Sequence, residues 1–300
     1  MNAGLPAAVP ATLPVFHRGR LGFALLLLAY ALLVLACAGT LAAAGEFTLG
    51  RQPWDNLLRT LADFSRPSFL DVWLGPERLE FRSDDGTLLR VEDRRAVEAA
   101  WLAGLARATW VTFQIATLGT LGAALLALPL ALLAARNLHA PWPLAVAARR
   151  LLDALRAVHT LVFGLVLVGI VGLGPTAGIL AIALHSAGTL GKLFAESIET
   201  LDRAAVQAVR ATGATPLQVF FQAVWPAVLP QAVSHHLYVW EFNIRDSTIL
   251  GLIGAGGLGL LISEAVSLFQ WSRLATLLIV VVALVVAFDA LSRRIRAALA

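Results

Sequence analysis

The chain has 300 residues, 59% of them hydrophobic and 14% charged, with a mean hydropathy of +0.79 and a formal net charge of +4. Composition this apolar excludes a soluble globular domain of this length and points to a polytopic membrane protein. The basic balance does not call for a nucleic-acid partner, because no basic stripe with interleaved aromatics occurs.

Residues 1–20 form a Pro- and Ala-rich tail, and the first uncharged run, Leu21 to Ala44, is long enough to span a bilayer. It is too long for a signal-peptide core and is followed by no convincing cleavage site, so it is expected to remain as an anchor. The single Cys37 lies within it, which rules out an intrachain disulfide. Segment 45–107 carries nine Arg and eleven acidic residues. Its turn signal Asp84-Asp85-Gly86 predicts a small external hairpin, followed by an amphipathic helix over Arg94 to Leu105. Balanced charge favours a solvated spacer, and no site is assigned there.

A second span follows at Ala108 to Ala135. The next run, Ala157 to Gly191, would overshoot a ~30 Å core at about 1.5 Å per residue. Gly172, Gly174 and Pro175 offer a turn near its middle, so two short spans are expected. Ala211 to Trp240 spans again. Ser247 to Ser263, Gly-rich and bounded by Asp246 and Glu264, reads as a re-entrant or broken segment. Leu274 to Phe288 completes an all-α membrane protein of about six helices, with a core over 108–292 and a short tail, 293–300.

Six spans place both termini on one side. Arg18, Arg20, Arg136, Arg149, Arg150, Arg156, Lys192, Arg203, Arg210, Arg293, Arg294 and Arg296 collect there, marking it as cytoplasmic.

Within the loop 192–218 the chemistry is local and readable. Asp202 is an N-cap, Gly213 a C-terminal stop, and Thr215-Pro216 with Gln218 the capping box of the next helix. A short polar helix therefore lies across the cytoplasmic face, with Gln207, Ala208, Arg210, Ala211 and Gly213 as docking candidates. Arg210 is equally a positive-inside anchor.

This stretch resembles the cytoplasmic loop of inner-membrane permease subunits of bacterial ABC importers, with Gln207, Ala208, Val209, Gly213 and Pro226 at the matching positions. Gln207 stands for the usual Glu and Val209 for the second Ala, so any salt bridge made by that Glu is absent. Over most of Asn137 to Ala300 the chain is similar to the phosphonate-type permeases. The similarity rests on the segments beginning at Arg149-Arg150, Val171-Gly172, Leu190-Gly191-Lys192, Val209-Arg210, Glu241-Phe242-Asn243-Ile244-Arg245 and Ile253-Gly254. It implies a type I ABC importer bundle whose short helix couples to a cytoplasmic ATPase dimer. It further implies a periplasmic substrate-binding protein, a second permease copy or paralogue, and import of phosphonate, phosphite or hypophosphite. Relatives often carry Glu near His159-Thr160 and a small hydroxyl residue at Asp246, differences that bear on the substrate.

Two nucleotide-site lookalikes fail. Gly254, Gly256, Gly257 and Gly259 satisfy G-x-G-x-x-G, yet the strand, crossover helix and distal acid of a dinucleotide unit are missing. These glycines instead serve a gate or close helix packing. Gly188 to Leu193 lacks the first Gly and the final Ser or Thr of a phosphate loop, so no cofactor is expected in this chain and ATP with Mg belongs to the partner. Adjacent His235 and His236 diverge by about 100° on a helix, and no zinc spacing occurs, so no metal site is expected.

Polar residues in apolar runs mark pathways. His159, His185, Ser186, Asn243, Ser247 and Thr248 are the pathway candidates. Each His has the alternative of being satisfied by a backbone carbonyl. Glu241 and Arg245, four apart, are expected to form a structural ion pair, with a pathway role as the other reading. Gly164, Gly169, Gly172 and Gly178 suit a dimer seam or packing inside one subunit. Two other functions remain open: an ABC permease for another small solute such as an amino acid, and an intramembrane hydrolase pairing Ser186 or Ser234 with His185, His235 or His236.

Overall fold

The structure is a computed structural model that describes residues 17–46, 52–70, 72, 78–82, 87–138 and 141–299. Most of the N-terminal tail and the Asp84-Asp85-Gly86 turn lie outside the described residues. The chain divides into two units, Met1–Leu58 and Arg59–Ala300. The first contains helix α1 (His17–Ala43), apolar on every face and exposed all round from Gly22 onward, as lipid requires. Helix α2 (Pro53–Phe64) is amphipathic and opens with Pro53, with Asp55 in its first turn.

In the second unit, β1 (Arg78–Arg82) and β2 (Leu88–Asp93) pair antiparallel from Arg78 opposite Asp93, which is the expected hairpin. Asp93 then caps α3 (Arg94–Ala134), its carboxylate accepting from the amides of Arg95 at 2.9 Å and Ala96 at 3.4 Å. The amphipathic helix expected over Arg94 to Leu105 is not a separate element. It forms the first turns of a 41-residue helix that continues as the second span, because no turn chemistry separates Leu105 from Ala108. At about 60 Å, α3 is twice as long as a bilayer core is thick, so part of it stands outside.

The run Ala157 to Gly191 breaks at Gly172 to Gly174 as expected, giving α5 (Thr160–Val171) and α6 (Pro175–Glu199). The 12 residues of α5 reach only about 18 Å, too little to cross alone. The helix before it, α4 (Trp142–Ala157), meets it at 90°, and only taken together do the two have the length and hydropathy of one span. After α6 come α7 (Arg203–Ala211), a helical turn at Pro216–Val219, a wide turn at Phe220–Val224, and α8 (Trp225–Leu250). Helices α9 (Leu258–Ser267) and α10 (Trp271–Leu299) close the chain. Among the described residues four helices are long and apolar enough to span alone, and counting each of two bent pairs as one span brings the total to six.

The core sits where α3 meets α6. Ala123, Ala127, Ala131 and Ala134 of α3 pack against Ala187, Leu190 and Phe194, and a methyl at Gly119 would lie 2.7 Å from Ile182. Two of the proposed seam glycines pack inside the subunit instead. A methyl at Gly164 would meet Leu250 at 2.6 Å, and one at Gly178 would meet Ala255 at 3.1 Å.

The break between α8 and α9 does not fall at the charged patch. Helix α8 runs uninterrupted through Glu241 to Asp246, and the chain bends by 61° only at the glycines beyond Leu250. Gly254, Gly256 and Gly257 take φ of +94°, +85° and +69°, which side-chain-bearing residues rarely adopt. The freed backbone finds partners on other elements: Gly174 N–H donates to the Gly254 carbonyl at 3.0 Å, and Leu258 N–H donates to Thr112 Oγ1 at 2.8 Å. A methyl at Gly259 would overlap the Thr248 carbonyl oxygen and press on Gly251. Gly259→Ala is therefore expected to lower stability by about 3 kcal/mol, read as a fall in apparent melting temperature in detergent.

Candidate functional site

Helix α7 is held at both ends by its own sequence. Asp202 Oδ1 accepts from Ala204 N at 2.9 Å, and the helix stops at Gly213, whose φ is +79° and whose N–H donates to the Arg210 carbonyl at 3.0 Å. The next turn opens with a reciprocal pair, Thr215 N to Gln218 Oε1 at 2.8 Å and Gln218 N to Thr215 Oγ1 at 3.4 Å. Val206 packs into an apolar cluster with Ala135, Ile198, Val224 and Val228. Gln207, Ala208, Arg210 and Ala211 remain exposed. Beside them lies a cavity of about 450 Å³ lined in part by Arg136, Asn137, Gln207 and Arg210.

A polar lane runs between α4, α6 and α8. One open cavity of about 570 Å³ is lined by Asp153, Arg156, Ala157, His185, Thr189 and Lys192. A smaller one of about 170 Å³ shares His185 and Thr189 and adds Ser186, Tyr238, Val239 and Phe242. Two cations share one carboxylate at one end, with Asp153 Oδ1 at 2.8 Å from Lys192 Nζ and 3.3 Å from Arg156 Nε. Donors outnumber acceptors in such a lining, which suits an anion.

His185 on the lane and its neighbour His159 use their Nδ1 atoms in opposite ways. A carbonyl only accepts, so the 2.7 Å contact from His185 Nδ1 to the Val158 carbonyl fixes the proton on Nδ1. His159 Nδ1 accepts from Leu161 N–H at 3.2 Å, so that nitrogen is bare and the ring caps α5. Their ring centroids are 6.3 Å apart. His185 lies on the lane, and the backbone satisfies one nitrogen of each ring.

Ser186 borders the smaller cavity, but its hydroxyl and the remaining pathway candidates are bonded inside the bundle. Ser186 Oγ donates to Asn243 Oδ1 at 3.0 Å, and Asn243 Nδ2 donates to Thr120 Oγ1 at 2.8 Å, tying α6, α8 and α3 into one buried chain. Ser247 and Thr248 donate to the carbonyls of Ile244 and Arg245, each at 2.7 Å. Asp246 is buried and accepts from Thr160 Oγ1 at 2.9 Å. Glu241 and Arg245 do not form the expected ion pair: among the ion pairs of the described residues neither takes part. Spacing permits that contact but does not enforce it, and Arg245 is exposed while Glu241 is half-buried.

Asp153, Arg156, Thr189, Lys192 and Tyr238 on the lane, and Thr112 and Thr120 inside the bundle, were not among the candidates read from the sequence. Thr112 and Thr120, eight apart and so on one face of α3, were the available signal.

The geometry also bears on a hydrolase. Ser186 donates to an amide oxygen and not to an imidazole. His235 Nε2 approaches Ser197 Oγ at 3.2 Å, but that hydroxyl gives its proton to the Leu193 carbonyl at 2.9 Å. The imidazole is then a donor to Ser197 and not its base, so no activated nucleophile results.

Removing Asn243 leaves the Ser186 hydroxyl in a buried site without its acceptor. Asn243→Ala is expected to destabilise the bundle by about 2–3 kcal/mol, and Ser186→Ala by less, both measured by thermal denaturation in detergent.

Comparison with known proteins gives a consistent answer. Residues 127–300 match the family described as the binding-protein-dependent transport system inner membrane component. The phosphite transport system permease protein PtxC of Stutzerimonas stutzeri is 45% identical over 186 residues, 62% of this chain and 67% of its own length. The putative phosphite transport system permease protein HtxC of the same organism is 42% identical over 186 residues, 62% and 66% of the respective lengths. The chain thus spans about two thirds of these relatives. The phosphate-import permease protein PhnE of Mycolicibacterium smegmatis is 37% identical over 188 residues, 63% of this chain and 35% of its own. A solved structure of inward-facing conformations of the MetNI methionine ABC transporter superposes with a TM-score of 0.61 at 22% identity, covering 68% of this chain and 98% of that one, a likeness of fold. With more than half its length inside the family and its bundle shared with a solved ABC permease, this chain belongs to the inner-membrane components of binding-protein-dependent transport systems.

Proposed function

We propose that this chain is the membrane-spanning permease subunit of an ABC importer for a small phosphorus oxyanion: phosphonate, phosphite or hypophosphite. The observation that carries the substrate class is the donor-rich lane that passes His185 and is lined by Arg156, Lys192 and Thr189, whose one carboxylate, Asp153, is already shared between two cations. Relatives named as phosphite permeases at 42% and 45% identity support the same reading. An amino-acid importer is less well supported, since the methionine import permease MetP of Bacillus subtilis is 29% identical over 87 residues.

In this reading a cytoplasmic ATPase dimer docks on the exposed face of α7 through Gln207, Ala208, Arg210 and Ala211, and supplies ATP and Mg. A rigid nine-residue helix capped at both ends transmits closure of the ATPase to α6 and α8 without unfolding. A periplasmic binding protein delivers the anion, a second permease copy or paralogue completes the pathway, and both termini are cytoplasmic.

The test is uptake of phosphonate, phosphite and hypophosphite by vesicles carrying this chain with its ATPase and binding protein, beside an ATPase-dead control. ATP-dependent uptake of at least one oxyanion is expected, and none from an intact complex turns the reading toward another small solute. Arg210→Glu, which reverses an exposed charge on α7, is expected to cut coupled uptake several-fold while the chain still inserts and folds.

A further inference from the structure

Arg245 is a charge near the middle of the bundle that has no ion-pair partner among the described residues. Asn243, two residues before it, bonds to Ser186, which lies midway along α6 (Pro175–Glu199), and to Thr120, within the uncharged stretch 108–135 of α3. Each helical residue advances about 1.5 Å, so Arg245 sits about 3 Å beyond that plane. Its side chain is exposed, and no acidic group among the described residues lies within ion-pair distance. Asp246 is turned inward onto Thr160, and Glu241, one turn earlier, stays apart.

A guanidinium stays protonated in proteins, and facing hydrocarbon at the centre of a bilayer costs it about 3 kcal/mol or more. An arginine left unpaired with a carboxylate four residues away therefore faces water, an anion or a second subunit, and its place beside the lane favours the anion. Its helix face connects it to the lane already described: Tyr238 and Phe242, seven and three residues earlier on α8, line the cavity that runs by His185 and Thr189 to Lys192. Its polar neighbours Asn243, Ser247 and Thr248 have their donors committed inside the bundle.

We propose that Arg245 is a direct contact of the transported oxyanion and sets its recognition at mid-membrane. This rests on the reading of the chain as an oxyanion permease. The planar fork offers two parallel donors to two oxygens on phosphorus, a geometry that a lysine ammonium does not reproduce. The anion then passes along the lane by His185 to the donors of Thr189 and Lys192.

The experiment uses the complete complex with Arg245→Lys, Arg245→Gln and Arg245→Glu. Loss of one charge-assisted contact is expected to raise the KM for phosphite uptake about tenfold in Arg245→Gln, with co-purification of the ATPase retained. Arg245→Lys should fall between that variant and the wild type, and Arg245→Glu should abolish uptake. A wild-type complex that moves phosphite while Arg245→Gln keeps the same KM sinks this proposal alone. A wild-type complex that moves none of the three oxyanions sinks the transport reading and this proposal with it. Should the Arg245 variants fail to assemble, Ile249→Cys in a Cys37→Ser background places the sole thiol one turn further along α8 with Arg245 intact. An impermeant anionic methanethiosulfonate should label it, and millimolar phosphite should slow the labelling. A thiol that stays unreactive shows that the face meets lipid or protein and overturns the proposal.

Discussion

Everything in the second unit hangs on how closely α3 and α6 approach. Helices in lipid gain nothing from hiding apolar surface from one another, since the solvent is as apolar as they are, so association rests on contact between small side chains and on hydrogen bonds. The alanines of α3 and Ala187 of α6 supply the contact, with Gly119 seated against Ile182. The same economy recurs on the other side of α6, where Gly188 and Gly191 admit α4, a methyl at Gly188 lying 2.5 Å from the Arg156 amide. Any bulk added along this seam would displace α4 and with it Asp153 and Arg156, which form one wall of the lane.

Hydrogen bonds then fix what close packing leaves free to slide. The chain of Ser186, Asn243 and Thr120 sets the register of three helices at one level. At the ends of α3 and α6 similar ties recur: Arg149 Nε donates to the Ala134 carbonyl at 2.8 Å, and Asn137 Nδ2 donates to the Ile198 carbonyl at 2.6 Å. Both satisfy terminal carbonyls that a helix cannot satisfy itself. Polar groups inside the bundle are therefore divided between those that hold helices together and those that remain open to the lane.

That division is what the sequence does not disclose. The coupling helix was legible because its determinants are local: Asp202, Gly213, Thr215 and Gln218 act on amides and carbonyls within a few residues. The break at Gly172 to Gly174 was legible for the same reason. Asn243 was not, because its partners lie 57 and 123 residues away and the turn of a side chain about its helix axis depends on which neighbour it meets. Glu241 and Arg245 show the converse failure, a local spacing that permits a contact which the tertiary setting leaves unmade. The separate helix expected at Arg94 to Leu105 failed because a change in polarity along a helix is not a break in it.

The broken segment between α8 and α9 depends on groups contributed by earlier parts of the chain, the hydroxyl of Thr112 and the amide of Gly174. During synthesis from the N-terminus both are made before Gly251 emerges. Backbone groups that would be intolerable in lipid alone thus reach the membrane after their partners do. A circular permutation opening the chain between α6 and α8 would reverse that order, sending the unsatisfied turn into the bilayer first, and its cost would fall on biogenesis and not on the finished structure.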